Sequence, residues 1–116
     1  MKAYHREERP WGWFEILYEE QHLKIKKILV KPRKRLSYQS HEGRTENWTI
    51  IQGQAVVILE DRRNPLTCNQ MIFIPARAKH RIENSGTEDL IFIEIQTGSY
   101  LGEDDIIRFE DDYKRI

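Results

Sequence analysis

Apolar and β-branched residues fall in short runs that alternate with polar ones, as in Ile91-Phe92-Ile93-Glu94-Ile95-Gln96, and turn formers interrupt them about every ten residues. This pattern predicts strands over 13–18, 22–30, 36–40, 47–51, 55–60, 71–74, 80–83 and 90–96. The intervening segments 19–21, 31–35, 42–44, 52–54, 61–65, 75–79 and 84–89 carry turn chemistry, with Gly43 and Gly53 able to adopt positive φ and Pro32, Pro65 and Pro75 ending strand pairing. Short, regularly spaced strands without an amphipathic helix predict an all-β sandwich or barrel in a single domain over 1–116. Residues 1–12 read as an N-terminal arm. In the tail, 100–116, the acidic Glu103, Asp104 and Asp105 precede Ile106, Ile107 and Phe109, which permits a short helix or an extended flap.

Charge narrows the partners. Nineteen Lys and Arg balance nineteen Asp and Glu, so no overall field draws in nucleic acid or an anionic membrane. Residues 1–50 hold eleven basic against seven acidic side chains and residues 51–116 hold eight against twelve, an asymmetry suited to subunit packing or an anionic ligand. The single Cys68 has no intrachain partner and no neighbouring base to activate it. Residues 1–11 lack the apolar region of a signal peptide, and no apolar run is long enough to span a bilayer; a cytoplasmic location is the expectation.

Two of the four histidines fall where a metal site can be built, whereas His5 and His22 read as structural. His41 ends the 36–40 strand, and Gln39, two residues earlier, shares its face on an extended chain. Glu46 opens the next strand across the loop containing Gly43, and His80 begins a strand directly after 75–79. Arg33, five residues, Gln39-x-His41, four residues, Glu46, six residues and Gly53 follow the spacing G-x5-H-x-H-x3,4-E-x6-G. Asn69, five residues, Pro75-x-Arg77, two residues, His80, three residues and Asn84 follow G-x5-P-x-G-x2-H-x3-N. With Arg9-Pro10-Trp11-Gly12, Glu46-Asn47-Trp48 and the closing run from Tyr100 to Tyr113, the chain resembles the cupin superfamily. Within it, the chain resembles type II mannose-6-phosphate isomerases, which often form the C-terminal part of enzymes that also carry a mannose-1-phosphate guanylyltransferase domain. The departures are Gln39 for the first motif histidine, Arg33 and Asn69 for the opening glycines, and Glu42, Gly43 and Asn47 where that family has further histidines.

The resemblance implies a double-stranded β-helix, or jelly-roll, barrel with Gln39, His41, Glu46 and His80 as metal ligands, and a homodimer. Such a nitrogen and oxygen donor set suits one divalent ion among Zn, Mn, Co, Fe and Ni. The implied activity is interconversion of mannose 6-phosphate and fructose 6-phosphate through an enediolate. Glu94, alternating with apolar neighbours and sharing a face with Gln96, is the first candidate base, and Lys79, next to His80, the second. Arg44 heads the candidates for the substrate phosphate, followed by Arg81, Arg108 and Arg115, because the guanidinium fork matches phosphate oxygens. Tyr38 and Trp48, beside the ligands, are expected to line the pocket. The alternatives are a non-catalytic sugar-binding or regulatory cupin, and a cupin dioxygenase using His41, His80 and Glu46 as a two-histidine, one-carboxylate iron site. Nucleotidyl transfer by this chain is not expected. The expected partners are a small sugar phosphate and a separate guanylyltransferase, with no nucleic acid and no membrane.

Overall fold

The structure, a computed structural model, describes residues 5–115; residues 1–4 of the expected arm and residue 116 of the tail lie outside it. The alternating runs become β1 (Arg6–Arg9), β2 (Gly12–Glu20), β3 (Leu23–Val30), β4 (Tyr38–Ser40), β5 (Arg44–Gln52), β6 (Ala55–Leu59), β7 (Arg62–Leu66), β8 (Met71–Ile74), β9 (His80–Asn84), β10 (Leu90–Gly98) and β11 (Ile107–Glu110). They pair in a six-stranded sheet, β1-β2-β3-β10-β5-β8, and a five-stranded sheet, β11-β4-β9-β6-β7. All pairings are antiparallel.

Every strand predicted from the pattern is present, but three more had been read otherwise. Residues 6–9 of the expected arm form β1, in register with β2 from Arg6↔Glu15 to Arg9↔Gly12. Residues 62–66, read as part of a turn, form β7 at a sheet edge, where the missing N–H of Pro65 is tolerated. The turn itself shrinks to Glu60 and Asp61, both at positive φ (48° and 66°), as a tight two-residue hairpin requires. Of the two readings of the tail, a short helix or an extended flap, the described residues take the extended one. Ile107 to Glu110 pair with the free edge of β4, and Glu103 and Asp105 spend their charge on Lys26 and on the N–H groups of Glu42 and Gly43. No described helix is long and apolar enough to cross a membrane.

Inward-facing positions recur every second residue, and cross-strand partners stack them in rungs. Val30 meets Leu90, and Ile28 meets Phe92, which meets Ile50. These residues, with Trp11, Phe14, Val57 and Ile82, make the apolar core. One step along the strands the rungs turn polar: Lys26 meets Glu94, which meets Trp48, and Lys24 meets Gln96, which meets Glu46. The barrel interior is therefore apolar at one end and charged at the other. Gly98 ends the charged end of β10 because the backbone of β5 comes too close for a side chain: an added Cβ would lie 2.1 Å from the Gly43 carbonyl oxygen.

The replaced motif glycines do not change the turns. Arg33, Asn69 and Arg77 all adopt the left-handed region, with φ of 66°, 71° and 67°. Side chains there cost roughly 1–2 kcal/mol, most for β-branched residues. Arg33 is exposed and tests this directly. Chemical denaturation is expected to show Arg33→Val less stable than wild type by about 1–2 kcal/mol, and Arg33→Gly within about 1 kcal/mol of wild type.

Candidate metal centre

At the polar end of the barrel, β5 turns Arg44, Glu46 and Trp48 inward at two-residue spacing. Glu46 is 2% exposed, and each of its oxygens is held: Trp48 Nε1 donates to Oε1 at 2.9 Å, and Arg44 Nε donates to Oε2 at 2.7 Å. His80 arrives from β9, and His41 from the turn after β4. The His41 Nε2 atom lies 3.4 Å from Glu46 Oε2, and His80 Nε2 lies 3.9 Å from Glu46 Oε1. The two imidazole centroids are 5.0 Å apart.

The far side of each ring fixes which nitrogen is free. His41 Nδ1 sits 2.6 Å from the Asp105 carbonyl oxygen, and His80 Nδ1 sits 2.9 Å from the Ala78 carbonyl oxygen. A carbonyl can only accept, so both Nδ1 atoms carry the proton in the neutral rings and both Nε2 lone pairs lie on the Glu46 side, where that of His41 also accepts from Arg44 Nη2 at 3.1 Å. Second-layer carbonyls orient metal-binding histidines in this way. One candidate ligand atom from each of His41, Glu46 and His80 fits within a 4.8 Å cluster. The donor chemistry fits a divalent ion: two neutral imidazoles and one carboxylate supply soft and hard donors without thiolate.

Burial supports the neutral form of His41. It pushes His41 down to about 4, helped by the charges of Arg44 and His80 and opposed by Glu46. Burial alone would raise Glu46, but His80, Arg44 and His41 outweigh it and hold the carboxyl down near 2. Glu94 behaves oppositely. Burial, then the Glu46 charge, push it up to about 8, with Lys26 and Arg44 offsetting part of the rise, so it stays a neutral acid at pH 7.

The cavity above the triad has a volume of about 130 Å³. Gln39, Arg44, Trp48, Arg81, Glu94, Arg108 and Arg115 all line it. Gln39 faces His80 across the β4–β9 pair, its amide nitrogen donating to Ser37 Oγ at 3.0 Å. Two expected residues stand apart. The Tyr38 hydroxyl donates to Asp61 at 2.7 Å, and the Lys79 ammonium lies 4.6 Å from the Phe109 ring centroid; neither lines the cavity. The reading from spacing missed Arg9, Lys26 and Glu103 on the cavity wall. Lys26 was legible only through its strand parity with Ile28, while Arg9 and Glu103 arrive through tertiary contacts alone.

Two curved antiparallel sheets closing over an inward His-Glu-His cluster define a cupin barrel. The capsular polysaccharide assembling protein CapF of Staphylococcus aureus superposes with a TM-score of 0.85 at 16% identity, over 95% of this chain and 35% of CapF. The cupin domain of Schizosaccharomyces pombe Cnp3 gives 0.70 at 12% identity, over 73% of this chain and 64% of that one. At such identities the similarity concerns the fold alone. The family described as "Mannose-6-phosphate isomerase C-terminal" matches residues 1–111, and the chain belongs to it. The xanthan biosynthesis protein XanB of Xanthomonas campestris pv. campestris is 47% identical over 107 residues, covering 92% of this chain and 23% of XanB. Mannose-1-phosphate guanylyltransferase 2 of Escherichia coli O157:H7 is 45% identical over 111 residues, covering 95% of this chain and 23% of that protein. The chain thus spans under a quarter of these relatives, which are named for guanylyl transfer and polysaccharide synthesis. That finding overturns the expected interconversion of mannose 6-phosphate and fructose 6-phosphate.

Folding binds the Glu94 proton more tightly than the unfolded chain does. Its contribution to stability is therefore complete below the ordinary value of 4.5 and is lost as pH rises through about 8. His41 contributes in the opposite sense, fully above 6.5 and lost as pH falls through about 4. In metal-free protein, the melting temperature of Glu94→Gln relative to wild type should climb between about pH 5 and pH 8; a constant difference across that range would refute the buried neutral acid.

Proposed function

We propose that this chain is a metal-binding sugar-phosphate domain serving guanylyl transfer to mannose 1-phosphate. The observation that carries the reading is the pair of Nε2 lone pairs aimed at the buried Glu46 carboxylate. Gln39 would join them as a fourth ligand through its amide oxygen, Ser37 accepting from its nitrogen. A bound divalent ion supplies Lewis acidity toward sugar hydroxyls. The chain's own residues do the rest: Glu94 offers a neutral acid proton to a ligand oxygen, Trp48 walls the cavity beside His80 at a ring separation of 5.5 Å, and Arg44 balances the Glu46 charge. The relatives' names and the shared family support mannose phosphate as the ligand and a guanylyltransferase unit, on the same or a separate chain, as the partner.

Metal analysis of the purified protein followed by calorimetric titration with mannose 1-phosphate tests this reading. One divalent ion per chain and metal-dependent binding are expected, and Glu46→Gln should lower metal affinity by at least tenfold, the scale of a lost charge-assisted contact. A metal-loaded protein that binds neither mannose 1-phosphate nor a guanylyltransferase would refute it.

A further inference from the structure

The outer face of the six-stranded sheet has the composition of an inner one. An antiparallel sheet with one packed face ordinarily turns polar side chains to water on the other. Here the alternation that sends Ile28, Phe92, Glu94 and Gln96 into the lumen sends mostly aliphatic neighbours outward. The registers stack those neighbours in rungs. Tyr18 meets Ile25, which meets Ile95, then Asn47 and Phe73. Glu15 meets Lys27, then Ile93, Thr49 and Met71, and Trp13 meets Leu29, then Ile91. The five-stranded sheet covers only the lumen side, and Ile25, Leu29, Ile91, Ile93 and Ile95 join no core cluster among the described residues.

The two edges of this sheet differ in kind. β1 reads Arg-Glu-Glu-Arg, and charge along an edge discourages pairing with another chain. β8, at the other edge, reads Met-Ile-Phe-Ile, and its outward Met71 and Phe73 are 71% and 51% exposed. At about 4.8 Å per strand and about 3.4 Å per residue, β2, β3, β10, β5 and β8 over the span from Ile91 to Thr97 cover roughly 24 by 24 Å. That is on the order of 600 Å² before the relief of the side chains is added, and a standard interface buries about 800 Å² per partner. A contiguous apolar surface of this size marks a contact between proteins.

Two features select a second copy of the chain as what covers it. Homodimer interfaces are the more apolar class and set one patch against itself. The rungs through Ile91, Ile93 and Ile95 carry one acid, Glu15, and one base, Lys27, so the face opposes its own image without net repulsion.

We propose that two copies of this chain pack these outer faces together across a two-fold axis near Ile93, bringing the β10 isoleucines of one copy against those of the other. The inference stands apart from the sugar-phosphate reading. Both cavities remain clear of the contact, because β10 turns Glu94 inward to the cavity wall and Ile91, Ile93 and Ile95 toward the copy.

Sedimentation equilibrium of the full chain across a wide dilution series tests the pairing. Wild type is expected at twice the 14.0 kDa chain mass, dissociating on dilution. Ile93→Lys and, separately, Thr49→Arg should each weaken the dimer about a hundredfold or more, because the two-fold axis buries each new charge twice, while far-ultraviolet circular dichroism matches wild type. Phe73→Ser, at the rim, should lose less, and Phe109→Ser, exposed on β11 of the other sheet, should dimerise as wild type does. In wild type alone, raising the concentration should protect Lys27 from amine acylation and leave the exposed Lys114 as reactive as before. A wild type that stays monomeric at high concentration, whether or not it takes up a guanylyltransferase, would overturn the interface. So would a dimer that survives both face variants, an equal loss in Phe109→Ser, or a Lys27 that dimerisation leaves unprotected.

Discussion

A carboxylate at 2% exposure is the constraint on which this interior depends. An unpaired buried charge costs several kcal/mol, and Glu46 avoids that cost by drawing four groups around itself. Trp48 and Arg44 donate to its two oxygens, and the imidazoles of His41 and His80 approach from the remaining sides. Each of those groups is fixed in turn from behind: the histidines by the carbonyls of Asp105 and Ala78, Trp48 by Phe92 at a ring separation of 5.2 Å. Glu46 therefore serves stability and chemistry with the same contacts, and an ion entering the site must compete with Arg44 for the Glu46 and His41 atoms that Arg44 already holds.

The division of the lumen into an apolar and a charged end explains how one small barrel tolerates so much buried charge. The rungs Val30–Leu90 and Ile28–Phe92–Ile50 exclude water and hold the sheets together, while Lys26 and Glu94 face the open cavity and the Gln96 amide donates to Glu94, its own oxygen staying buried without a partner. Lys24 and Lys26 reach the Leu101 carbonyl and Glu103, so the segment after β10 closes over the polar end and binds it by charge. The tail is thus part of the site's wall. Its strand β11 extends the row from His80 through Gln39 to Arg108, linking the candidate metal site to the edge of the five-stranded sheet in one register.

Family membership and function separate here for a physical reason. Two motifs with fixed spacing identify the barrel and bring together the residues that could hold a metal, because any metal-binding cupin must place donors on neighbouring strands facing one lumen. The reaction depends on which groups line the rest of the cavity, and those come from distant segments. The relatives, more than four times longer than the matched region, are named for guanylyl transfer and polysaccharide synthesis, where motif resemblance alone had pointed to isomerisation.

By itself the sequence determined the strands whose side chains alternate, the all-β class, and the pairing of His41, Glu46 and His80 as one site, since two-residue periodicity and motif spacing are local properties of the chain. It left open what is decided between segments distant in sequence. Polar residues 6–9 and 62–66 become strands because a neighbouring edge supplies hydrogen bonds, and the acidic tail stays extended because β4 offers an edge and Lys26 a countercharge. Only the tertiary structure put Arg9 beside Arg108, turned Lys79 and Tyr38 away from the cavity, and buried Glu94 deeply enough to keep its proton. Burial and long-range charge set those outcomes, and neither is a property of spacing along the chain.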